Sequence, residues 1–112
     1  MIDRVLSVLG MATRAGKSAS GGYQTETAVK KGKAWLVIVA CDASDNAKKN
    51  YKDMCAYYDV PLIVYGDKES LGKATGHEMR VSAAILDEGL AQSALKRFEE
   101  VNAVREEIKC QK

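Results

Sequence analysis

Apolar and polar positions along the chain alternate in a way that predicts nine elements. Ile2, Val5, Leu6, Leu9 and Ala12 recur at helical spacing with Gly16 just beyond, so a first amphipathic helix should end near Arg14. Ser18-Ala19-Ser20 predicts a short edge strand. Gly21-Gly22 then open a second helix carrying Thr25, Ala28 and Val29 and stopped at Gly32. Trp35 to Ala40 is an unbroken apolar run, the pattern of a strand buried on both faces as in parallel sheets. Asp42 to Asn46 is rich in helix-capping residue types and predicts a third helix from about Asp45 to Tyr57. Val60 to Tyr65 is the next strand, with Pro61 tolerable at its start. Lys68 to Ala74 predicts a short helix ended by Gly76, and Val81 to Leu86 a further strand. Leu90, Ala94, Leu95, Phe98 and Val101 mark a long final helix. Past Val101 the sequence is polar apart from Ala103, Val104 and Ile108, so residues 102–112 are expected to fray or project.

The order α-β-α-β-α-β-α-β-α predicts an α/β fold, a layered sheet with helices on both faces. Its 112 residues suit one domain spanning 1–112. The hydrophobic share of 46% and charged share of 29% exclude disordered and fibrous classes. The longest uninterrupted apolar run, Ala34 to Cys41, is too short to span a bilayer, and Met1 to Leu6 does not read as a signal peptide. Three cysteines, Cys41, Cys55 and Cys110, without paired spacing argue against a disulfide framework, Cys41 and Cys55 reading as small core residues and Cys110 as a tail thiol. With His77 as the one histidine, no zinc site is spaced. A reducing, cytoplasmic setting is the expectation.

The net charge of +2 does not itself point to nucleic acid. It hides a skew: residues 1–52 carry nine basic and four acidic side chains (+5), and residues 53–112 eight basic and eleven acidic (−3). Such asymmetry is a hint of one basic face.

Several chemistries fail on spacing. Gly10 to Ser18 ends like a phosphate-binding loop but holds five residues between its glycines instead of four, and follows a helix rather than a strand. Asp42, at the end of the best strand, suggests a phospho-receiver, yet no acidic pair closes the first strand; a cap or loop acceptor is the simpler role. His77 reads as an exposed loop residue. What remains is Gly21 to Lys33. Two glycines open a helix whose free N–H groups and positive dipole end attract phosphate, with Arg14, Lys17, Lys30, Lys31 and Lys33 around it in sequence. The same residues equally describe a glycine-capped surface helix with a solvated lysine end.

Taken together, Leu9 to Lys17, Ser20-Gly21, Lys31 to Val37, Cys41 to Asn46, Cys55 to Pro61 and Leu71 to Gly76 resemble the kink-turn RNA-binding ribosomal protein superfamily (ribosomal L7Ae and L30e type). Within it, the chain is most similar to bacterial YlxQ-like proteins. The likeness covers residues 2 to about 98. It implies a three-layer α/β/α sandwich around a mixed sheet of roughly four strands. It also implies a non-catalytic, cofactor-free RNA binder acting on kink-turn or bulged G·A-containing RNA as a monomer, with neither membrane nor metal. The implied RNA face has three segments: Gly21 to Thr27, Cys41 to Ser44 and Gly76 to Val81. Gly21, Gly22, Tyr23, Gln24, Thr27, Lys30, Lys33, Asp42, Ala43, His77 and Arg80 are its candidate contacts.

The family's recognition helix reads Gly-x-Asn-Glu-x-x-Lys, and Tyr23, Gln24 and Thr27 stand at its last three named positions. Gln24 keeps one acceptor oxygen for a guanine edge. Tyr23 can stack on a base, and Thr27 removes a positive charge. These departures also fit a protein-interaction subunit with reduced RNA readout.

Overall fold

The computed structural model describes residues 3–104. Nine elements follow in the expected order: α1 (Arg4–Arg14), β1 (Ser18–Ser20), α2 (Gly22–Lys30), β2 (Leu36–Val39), α3 (Asp45–Tyr58), β3 (Leu62–Val64), α4 (Lys68–Ala74), β4 (Ser82–Ile85) and α5 (Glu88–Val104). Residues 105–112, including Ile108 and Cys110, lie outside the described residues, as does Ile2.

The four strands form one sheet in the order β1-β4-β2-β3. β2 runs parallel to β3, whereas β4 is antiparallel to both β1 and β2. The sheet is therefore mixed. The apolar run at 35–40 was expected to mark a parallel-sheet strand; β2 is parallel on one side only. Its hydrophobicity comes from being covered on both faces, which the period of two makes visible. Leu36, Ile38 and Ala40 join a core with α1, α4 and α5, while Val37 and Val39 join a second core with α2 and α3. The result is an α/β/α sandwich.

Capping fixes several helix starts. Asp3 accepts from the Leu6 N–H at 3.0 Å, and Ser44 from the Ala47 N–H at 3.0 Å. Asp67 and Ser70 form a reciprocal capping box. These hydrogen bonds hold the Asp67 carboxyl below its ordinary value.

Cys55 is free and buried, and burial pushes its thiol up to about 11. Cys41 is half-buried and disulfide-bonded, which corrects the expectation of simple core thiols at both positions.

The direction of the elements defines two ends. β1, β2 and β3 run the same way, so Ser20, Val39 and Val64 finish at one end of the sheet, where β4 begins at Ser82. Lys17, Trp35, Pro61 and Leu86 lie at the other end.

Candidate nucleic-acid interface

β1 stops because its continuation turns sharply. The Gly21 N–H donates to the Ser82 carbonyl at 2.8 Å, and the backbone then adopts φ 88°, ψ 164°, a region open essentially to glycine alone. α2 starts there with no side-chain cap, its first turn exposed at Gly22, Tyr23 and Gln24. Tyr23 is 77% exposed, an unusual placement for a large aromatic side chain.

Behind this helix start lie three hydroxyls. Ser82 Oγ stands 3.2 Å from Thr25 Oγ1 and 2.8 Å from the Tyr51 hydroxyl. Each hydroxyl owns one proton, so the three form a chain rather than two bonds donated by one oxygen. Thr25 and Ser82 are fully buried, and burial raises the Tyr51 pKa, partly offset by its bond to Ser82. The chain ties α2, α3 and β4 together below Gly22. Ser82→Ala should lower unfolding free energy by about 1–2 kcal/mol, since it leaves Thr25 and Tyr51 short of a buried partner. A urea titration with a lower midpoint and unchanged slope is the expected result.

Arg80 lies along the Gly21 turn. A Cβ placed on Gly21 would stand 3.5 Å from Arg80 Cδ and 3.6 Å from its Nε. Arg80 Nη1 donates to the Met79 carbonyl at 2.9 Å, while its buried Nε has no hydrogen-bond partner among the described residues.

The three segments meet through α4. The Lys68 N–H donates to Asp42 Oδ1 at 3.0 Å, and the Lys68 carbonyl accepts from the Arg80 N–H at 3.0 Å. Asp42, Lys68, Arg80 and Gly21 thus form a continuous series across one end of the sheet. The series assigns Asp42 the loop-acceptor role. Ala43 is buried in the α2–α3 core, so its side chain is not available to a ligand. His77 is exposed in the loop after α4, its N–H donating to the Gly72 carbonyl at 2.7 Å. Thr27 lies one helical turn beyond Tyr23 and is half-buried.

Lys30 and Lys33 are not part of this face. Lys30 stands eight positions along α2 from Gly22, about 12 Å along the helix axis. Lys30 pairs with Glu26 at 2.6 Å, which holds its ammonium above the usual pKa. Lys33 sits in the turn leading to β2, its N–H bonded to the Ala28 carbonyl. Sequence proximity to Gly21 misplaced them, because a helix carries its two ends to opposite ends of the sheet. Conversely, Thr25, Tyr51, Lys68 and Ser82 went unnoticed. A serine in the apolar run Val81 to Leu86 was the available signal for Ser82.

The family model for ribosomal protein L7Ae/L30e/S12e/Gadd45 matches residues 3–95. The chain belongs to this family. It is 36% identical over 88 residues to the RNA-binding protein YlxQ of Bacillus subtilis, covering 79% of this chain and 88% of that protein. The RNA-binding protein YlxQ of Enterococcus faecium is 33% identical over 97 residues, 87% of this chain and 93% of that one. A solved protein of unknown function from Bacillus halodurans superposes with a TM-score of 0.83 at 34% identity, covering 88% and 99% of the two chains. The Giardia lamblia 15.5kD RNA binding protein has a TM-score of 0.73 at 25% identity, covering 89% and 86%. Among the described residues no helix is long and apolar enough to cross a membrane, and no group of three or more His, Cys, Asp or Glu could hold a metal ion.

Proposed function

We propose that this protein binds structured RNA, without catalysis, at the end of the sheet where α2 begins, and that its preferred target is a kink-turn or bulged element containing G·A pairs. The observation that carries this reading is the juxtaposition of Arg80 with the uncapped glycine start of α2, beside exposed Tyr23 and Gln24. The names of the YlxQ relatives and of the Giardia protein support it. The backbone N–H groups at Gly22 and the Arg80 guanidinium would hold phosphate. Gln24 would read a guanine edge through its single carbonyl oxygen while Tyr23 stacks on a base. The loop bearing His77 would cover an extruded base. A monomer in the cytoplasm is part of this reading.

Few positive charges serve this face, so affinity should depend on shape and base contacts, with a shallow response to salt. Filter binding with a G·A-containing internal loop and a plain duplex of equal length tests the proposal. Gln24→Ala should weaken binding to the loop by about 1–3 kcal/mol and narrow the gap between the two RNAs. Equal affinity of the unaltered protein for both RNAs would rule out the kink-turn reading.

A further inference from the structure

The opposite end of the sheet carries the basic side chains that the recognition face lacks. Lys17 directly precedes β1, Lys30 closes α2, and Lys31 and Lys33 flank Gly32 on the way to β2. Lys17, Lys31 and Lys33 are exposed. Backbone bonds place them along one edge: the Leu86 N–H donates to the Lys17 carbonyl at 2.8 Å, and the Trp35 N–H donates to the Ile85 carbonyl at 2.9 Å. Lys17 and Trp35 are therefore two strand spacings apart, on the order of 10 Å.

Exposed aromatic rings lie at the same end of the sheet, before β2 and at the close of α3. Trp35 is 47% exposed, Tyr57 81% and Tyr58 40%. Tyr57 and Tyr58 pack edge to face with centroids 4.9 Å apart, and Tyr58 is close enough to influence the charge on Lys30. Of the acids at this end, Glu26 is paired with Lys30, Asp87 accepts from the Leu90 N–H, and Glu88 lies 3.4 Å from Gln92. Asp59 stands at the same end, as the cap of α3. A large apolar ring in water is costly to keep unless something covers it, and a lysine edge selects an anionic cover.

We infer that this edge is a second RNA surface, which takes a single-stranded segment: lysines meet phosphates, and Trp35, Tyr57 and Tyr58 provide faces on which bases stack. An acidic peptide would satisfy the lysines but leaves three exposed rings without a matching partner, whereas every nucleotide carries both a phosphate and a π face. The site lies past the far end of α2, about 12 Å along the helix axis from Gly22, and does not rest on the function proposed for that face.

Fluorescence anisotropy with a labelled 12-nucleotide oligouridine tests this directly. Tyr57→Ala should weaken binding about fivefold or more, and Tyr57→Phe should restore most of it, because the ring rather than the hydroxyl stacks. Lys17→Ala with Lys31→Ala should lower the slope of log affinity against log salt by about 0.7 per lysine. Neither change should alter affinity for a G·A internal-loop RNA with no single-stranded ends. Gln24→Ala should leave oligouridine binding intact, so failure at one face is separable from failure at the other. The inference is overturned if oligouridine does not bind, if Tyr57→Ala binds it as the unaltered protein does, or if polyglutamate displaces it as readily as unlabelled oligouridine does.

Discussion

Gly72→Ala should destabilise the protein by about 1–3 kcal/mol and weaken structured-RNA binding at the same time. Gly72 lies in helical backbone within α4, so the demand is for space, not for an unusual φ. A Cβ there would stand 2.5 Å from the Glu78 carbonyl oxygen and 2.7 Å from the Met79 nitrogen. Both are main-chain atoms with no rotamer to escape into, so the 76–80 loop must move. That loop is held by the His77 N–H to the Gly72 carbonyl and by the Arg80 N–H to Lys68. Moving it lifts Arg80 from the Gly21 turn. Urea unfolding should show a lower midpoint, and amide exchange at Arg80 should accelerate. An unchanged midpoint would show that the loop adapts without cost.

Gly21→Ala should have a similar effect on stability, about 1–3 kcal/mol, for a different reason. The nearest Arg80 atoms are at ordinary contact distance, but φ 88° with ψ 164° excludes a β-carbon. Relief of the strain requires the peptide to rotate, which breaks the bond from Gly21 to the Ser82 carbonyl and shifts the first turn of α2. Structured-RNA binding should then fall at least as far as in Gln24→Ala. Gly32→Ala is the matched comparison: φ is 74° there and no atom lies within 4 Å of a new Cβ. It should lose stability while keeping structured-RNA affinity. Equal loss of binding in both variants would show that binding merely follows stability.

The fold was legible because each element had a strong local signal. The apolar run at 35–40 could only be a covered strand, and the glycines at 16, 32 and 76 ended α1, α2 and α4 where expected. Strand direction was not legible, since periodicity reports burial and not the neighbour. The candidate site was half legible. Gly21, Gly22, Tyr23 and Gln24 could be read from a glycine-opened helix, and Arg80 from its place in the family pattern. The structure sets these close together. The structure places Lys30 and Lys33 at the other end of the sheet from Gly21; charge was counted along the sequence, while the helix between them runs the length of the sheet. The hydroxyl chain of Thr25, Tyr51 and Ser82 was not legible, because it joins residues up to 57 positions apart and only Ser82, a polar residue in an apolar run, left a local signal.

The strand order β1-β4-β2-β3 also has a consequence for the time at which the protein becomes competent. β1 pairs with β4 alone, and β4 is the last strand to leave the ribosome. Until Ser82 is synthesised, the Gly21 N–H has no acceptor in the sheet and Thr25 and Tyr51 have no serine between them. Insertion of β4 between β1 and β2 is a late, long-range event, of the kind that slows folding. It completes the sheet and builds the α2 start in one step. A nascent chain that ends before residue 82 should therefore have neither the recognition turn nor the backbone bonds that align Lys17 with Trp35 at the far end.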